Sequence, residues 1–110
     1  MAVSSKIAEN VYSALGYETV AASQTAQVMG NAGGVSDVIS HILAVPASTS
    51  PGAITLIDGA TSITVFAGGA SSVTSLAPFA IPLGLKAATG PWKITTGASI
   101  SCVVVGDFTN

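Results

Sequence analysis

Charge is what this chain most lacks. Of its 110 residues three are lysine, none is arginine and five are acidic, for a formal net charge of −2. A free-standing domain usually draws about a quarter of its residues from the charged types, mostly for its surface. Without them the surface has to be made of Ser, Thr, Ala and Gly. Such a surface is weakly hydrated and has little rotamer freedom to lose against another protein, which points to an assembly subunit. The shortage also argues against nucleic acid as a partner. Lys6, Lys86 and Lys93 in a net-acidic chain cannot supply the phosphate neutralisation on which most of that affinity rests.

Reactive side chains are equally scarce. The single cysteine, Cys102, has no intramolecular disulfide partner and lies in the apolar run Cys102-Val103-Val104-Val105, where it reads as a small buried hydrophobe. His41 is the only imidazole and no G-x-S-x-G elbow occurs, so a catalytic triad has nothing to stand on. Asp37 precedes His41 by four residues, a separation of about 13 Å along a strand and too long for a hydrogen bond. One Cys, one His and five scattered acids offer no zinc or calcium spacing. Gly30-Asn31-Ala32-Gly33-Gly34 lacks the Gly-Lys-Ser/Thr of a phosphate loop and precedes a strand, so it reads as a loop that needs positive φ. The chain is therefore expected to be no enzyme, with no catalytic, cofactor or metal residues.

Long apolar runs are absent too. Glycine, proline or a polar residue interrupts each one well before the roughly 18 residues of a membrane span, and the amino terminus has no apolar signal region. The expectation is a protein kept in the cytoplasm until it assembles.

What the chain does have is alternation. Residues 1–22 stand apart: Ile7, Val11 and Leu15 are spaced by four, which fits either a short docked helix or an arm that orders on a neighbour. Residues 23–110 read as one β-sandwich domain. Val35, Ile39, Leu43 and Val45 alternate with Ser36, Ser40 and Ala44 in a long strand ending at Pro46, which places His41 on the face of Ile39 and Leu43 as a core or interface histidine. Ile54–Ile57 and Ile63–Phe66 form a hairpin through Asp58-Gly59-Ala60. Val73 and Leu76 suggest a short strand or bridge. Phe79, Ile81, Leu83 and Leu85 alternate in a strand whose Pro82 demands a sheet edge or a bulge. A strand from Trp92 and a last one from Ile100 complete seven or eight short strands, the pattern of an all-β antiparallel β-sandwich or jelly roll. Residues 54–65 and 94–103 resemble each other as two strand, Gly-Ala turn, strand units, and read as two hairpins.

The stretch Gly33–Gly52, together with Phe66-Ala-Gly-Gly69, Pro78-Phe-Ala-Ile-Pro-Leu-Gly84 and Gly90-Pro-Trp-Lys-Ile-Thr-Thr-Gly97, resembles small structural proteins of tailed bacteriophages. The likeness runs from about Ala22 to Thr109 and leaves the amino-terminal segment uncovered. It implies a virion component on the capsid surface, a head decoration or cement subunit that binds the major capsid protein, often as a trimer. The resemblance transfers no functional site. From apolarity alone the candidate interface residues are Ile7, Val11, Leu15, His41, Phe79, Ile81 and Trp92. Two other readings stay open: a receptor- or carbohydrate-binding module presenting Trp92, Tyr12 or Tyr17, and a tail or head-to-tail connector subunit.

Overall fold

Short runs of Val, Ile and Thr with period two, punctuated by Gly, Pro and an Asp-Gly pair, favour strands over helices, and strands are what form. The computed structural model describes residues 15–31 and 34–109. Among these lie eight strands: β1 (Gly16–Val20), β2 (Gln27–Val28), β3 (Val38–Pro46), β4 (Ile54–Asp58), β5 (Thr61–Phe66), β6 (Phe79–Lys86), β7 (Trp92–Thr96) and β8 (Ile100–Asp107). They make two four-stranded antiparallel sheets, sheet A in the order β1-β8-β3-β6 and sheet B in the order β2-β7-β4-β5. The pairings nest, first strand with last, second with seventh, third with sixth and fourth with fifth. The protein is an antiparallel β-sandwich, as its alternation predicts.

The core lies between the sheets. Ile39, Ile42, Val104 and Ile100 from sheet A meet Ile54, Leu56, Ile94 and Trp92 from sheet B, all of them buried. The strict alternation of β7 and β8, each with every second side chain buried, is the period-two signal realised. The β4–β5 hairpin turns through Gly59 at φ +61, the positive-φ first position that a two-residue turn of the second primed type requires.

Four expectations need correction. The sandwich includes Gly16–Val20, ahead of residue 23, because β1 pairs along its whole length with β8. Ile7 and Val11 lie outside the described residues, and Leu15 is half-buried just ahead of β1. Val73 and Leu76 form no strand. They sit in a serine-rich loop tied down by Val73 N–H to Thr49 O and Ser71 N–H to Ser50 Oγ. Residues 94–103 are not a hairpin either, since β7 belongs to sheet B and β8 to sheet A. The turn within them crosses between the sheets and docks on the loop before β4, with Gly97 N–H bonded to Ala53 O and Gly52 N–H to Ala98 O.

The fourth correction concerns the phase of β3. Ile39 faces the core with Ile42, Ala44 and Pro46, whereas His41, Leu43 and Val45 face outward. A bulge causes the switch. Between the core pairs Ile39↔Gly106 and Ile42↔Val104, β8 has only Val105 while β3 has Ser40 and His41. Across from the same two β3 residues, β6 carries Pro82, Leu83 and Gly84. From β8 through β3 to the β6 edge, each strand thus inserts one residue more than the last, and such insertions bend and twist a sheet. Pro82 and Gly84, the latter at φ +65, lie on this bulged edge strand.

The inter-sheet crossing depends on two glycines whose backbones touch. A Cβ on Gly97 would lie 2.5 Å from the Gly52 Cα, too close for any real contact. Gly97→Ala is expected to lower unfolding stability by about 1–3 kcal/mol, the cost of overpacking a tight site, measured by urea denaturation with far-ultraviolet circular dichroism. An unchanged midpoint would show that the crossing tolerates separation.

Candidate interaction surface

The two outer faces of the sandwich differ in chemistry. On sheet A the cross-strand register builds the row Pro82–His41–Val105–Tyr17 and, beside it, the row Ala80–Leu43–Val103–Thr19, followed by Val45 opposite Ser101. Neither row contains a lysine or a carboxylate. Charge appears only at one end, where Lys86 and Asp107 flank Val38. On sheet B the corresponding rows are Val28–Lys93–Ile57–Ser62 and Thr95–Thr55–Thr64, carrying a charge and a ladder of threonines. Antiparallel sheets that meet water usually alternate apolar inside with polar outside. Sheet B follows that rule and sheet A does not.

Exposure on sheet A is substantial. Tyr17 is 71% exposed and Leu43 37%, while His41, Val45, Val103 and Val105 are half-buried by their neighbours. The face spans roughly 19 Å in each direction, about 360 Å², from strands about 4.8 Å apart and rows about 7 Å apart. Contiguous apolar patches of this size on a single chain are commonly functional.

Of the candidate interface residues read from the sequence, His41 alone lies on this face among the described ones, joined there by Tyr17, which the sequence offered only for a carbohydrate-binding reading. Its Nδ1 is 3.1 Å from Ser40 Oγ. Phe79 and Ile81 point inward from the β6 edge and are half-buried. Phe79 packs on Phe66 across the sheets with ring centroids 5.3 Å apart. The expectation for Trp92 as an interface anchor is corrected: it is 2% exposed and its Nε1–H donates to the backbone carbonyl of Asp37 at 2.9 Å. A buried indole with a satisfied N–H is a core residue, so it presents no platform to a sugar or a partner. Sequence reasoning missed Tyr17, Leu43, Val103 and Val105 as a group, because Pro82 and Gly84 signal an irregular edge strand but not the inserted residue at Ser40–His41 that sets the phase of β3.

Polar groups elsewhere serve the fold. The Asp37 carboxylate accepts from Thr109 Oγ1 at 2.6 Å, Thr109 N–H at 3.1 Å and Gly34 N–H at 3.1 Å. The Asp58 carboxylate accepts from the N–H groups of Ala88, Thr89 and Gly90, so it ties the β6–β7 loop to the β4–β5 hairpin as well as forming its turn. Those bonds, Gly90 and Ala88 foremost, hold the Asp58 carboxyl below its ordinary value. Burial pushes the Cys102 thiol up to about 11, which keeps it protonated and unreactive at neutral pH. Among the described residues no three of His, Cys, Asp and Glu gather as metal ligands would.

No protein-family model, no curated protein and no solved structure matches this chain.

Asp37 gives the fold a pH dependence with a definite sign. Burial opposes its ionisation, but the bonds from the Thr109 hydroxyl, the Thr109 amide and the Gly34 amide outweigh it, and the carboxyl is held below its ordinary 3.8. A folded value below the unfolded one contributes stability that is full above the unfolded value and is lost as pH falls through the folded one. Urea midpoints of the native chain and Asp37→Asn are therefore expected to differ most well above the carboxyl's ordinary value and to draw together as pH falls below it. A gap that persists in acid would mean that the carboxylate charge contributes nothing.

Proposed function

We propose that this chain is a structural virion subunit, a head decoration or cement protein that binds the outside of a phage capsid and stabilises the shell. The observation that carries the reading is the uncharged apolar outer face of sheet A. We assign that face to the major capsid protein. The nested strand order, wound so that first and last strands pair, is read as a jelly roll, an architecture that recurs in viral structural proteins and also in lectins and cupins. A shared architecture assigns no site. The phage-like motifs of residues 33–52, 66–69, 78–84 and 90–97 point the same way.

Magnitudes favour a multivalent role. A footprint of roughly 360 Å² per subunit, with Thr19, His41 and Ser101 among its residues, is well below the about 800 Å² per partner of a stable interface. Association itself costs about 4–15 kcal/mol. One such face binds weakly alone. Several copies held together, as in the trimer that the resemblance implies, bind firmly because the second and third contacts are made at high effective concentration. Each oligomer then bridges neighbouring capsid subunits and opposes outward pressure. Synthesis in the host cytoplasm and final residence on the capsid surface follow from this role.

The decisive test charges the face without touching the core. Leu43→Glu and Val103→Glu replace side chains that point outward, so each variant is expected to stay folded, with a stability loss of about 1–2 kcal/mol at most. Incorporation into particles, measured by quantitative mass spectrometry of purified virions, is expected to fall at least a hundredfold, because an unpaired carboxylate desolvated in an interface costs several kcal/mol. Normal incorporation of both variants would sink the assignment of this face.

A further inference from the structure

A sandwich of two open sheets has four edges, and in this one they are not treated alike. Edge strands expose unpaired N–H and C=O groups that invite another strand, and proteins blunt them with short length, charge, proline or bulges. β6 carries Pro82, a bulge and a terminal Lys86. β1 is five residues long and holds Glu18 at its centre. β2 has only two residues. β5, Thr61-Ser-Ile-Thr-Val-Phe66, is six residues long, uncharged, free of proline and built from strong strand formers, and its one bulge lies at its far end, where Val65 is inserted between the pairs Thr55↔Thr64 and Ile54↔Phe66, so Thr61–Thr64 carry none of these devices.

The free groups of β5 can be located. In a two-residue hairpin the flanking pair, here Asp58 and Thr61, exchanges hydrogen bonds, and bonded pairs then alternate along the ladder. Thr61 and Ile63 therefore bond to β4, while the N–H and C=O of Ser62 and Thr64 point away from it. Neither residue makes a backbone hydrogen bond outside the sheet among the described residues. On the inner side of the same edge Ile63, Val65 and Phe66 are only partly buried, as are Phe79, Ile81, Leu83 and Leu85 of β6 in the other sheet. An added strand would find hydrogen-bond partners at Ser62 and Thr64 and an apolar seam beneath.

We propose that the occupant is β5 of a second copy, antiparallel across a two-fold axis at Ile63, joining two sheets B into one eight-stranded sheet. The strand is self-complementary in this register. Ser62 faces Thr64 of the other copy and Thr64 faces Ser62, which matches free groups with free groups and sets hydroxyl beside hydroxyl on the outer face. Ile63 faces its own copy as a non-bonded pair, with both side chains directed at the seam. No charge lies on β5, so self-pairing meets no like-charge repulsion, the usual obstacle to isologous contact. The footprint, one strand of about 17 Å and its seam, is at the low end for specific interfaces, so the pair is reversible and concentration-dependent.

This contact goes beyond the capsid-binding reading and uses a different surface. Being two-fold, it cannot close a trimer by itself, and in a three-fold assembly it links one trimer to the next. It holds whether or not the protein is found on a capsid, so the two ideas fail separately.

The test uses the full chain. Thr64→Pro removes an N–H that points away from β4, leaving the β4–β5 ladder intact, and is expected to weaken self-association at least tenfold by sedimentation equilibrium. Ile63→Cys places two thiols at the axis, where Cα atoms of a non-bonded pair lie about 4.5 Å apart, within disulfide range. Mild oxidation is expected to give a covalent dimer. Ser62→Cys, more exposed but offset from its own copy, is expected to stay reduced, and buried Cys102 adds no background. A native chain that is monomeric at millimolar concentration, unchanged association in Thr64→Pro, or Ser62→Cys crosslinking as readily as Ile63→Cys would each overturn the proposal.

Discussion

One residue, Asp37, pins the two sheets and the end of the chain together. Its carbonyl receives the Trp92 indole N–H from sheet B and the Ala87 N–H that follows β6. Its carboxylate takes the backbone and hydroxyl of Thr109 beyond β8, together with the Gly34 turn. The start of β3, the ends of β6 and β8 and the start of β7 therefore converge within hydrogen-bond distance. Trp92 fills the core beneath. A buried carboxylate tolerates this position because amides and a hydroxyl replace the water it has lost.

That fixed end dictates what the rest of sheet A can do. With Val38 and Ile39 held in register, the inserted residue at Ser40–His41 has to be absorbed by the bulge, and the phase of β3 flips beyond it. The flip sends Ile42 and Ala44 inward and leaves His41, Leu43 and Val45 outward beside Val103 and Val105. A one-residue slip in a strand exchanges its faces, so the bulge decides that His41, Leu43 and Val45, not Ile42 and Ala44, join Val103 and Val105 on the outer face. Sheet B has no such surface, its outer rows being dominated by threonine and Lys93. The asymmetry is the physical basis for reading the molecule as a subunit with one side meant to be covered.

Much of the architecture was legible because it rests on local chemistry. The Asp58-Gly59 turn, the strict alternation of β6 and the edge position demanded by Pro82 follow from side-chain period and backbone geometry. What was hidden depends on contacts distant in sequence. β1, with Glu18 in its middle, reads as an arm until Glu18 is seen to turn inward and accept the Gly30 N–H at 2.5 Å. The crossing after β7 reads as a hairpin until Gly97 is seen against Gly52. Trp92 reads equally well as anchor or core, since nothing in Pro91 or Lys93 reveals the Asp37 carbonyl 55 residues away. The interaction face was the least legible part, because a single inserted residue decides which of His41, Leu43 and Ile42 faces out.

The central claim, that the outer face of sheet A is buried in the working assembly, is most directly tested by hydroxyl-radical footprinting of the free protein and of the assembled particle. Tyr17 and Leu43 are expected to be oxidised readily in the free chain and protected at least tenfold on assembly, while Val28 on sheet B is protected less. Equal oxidation of Tyr17 and Leu43 in both states would contradict the account.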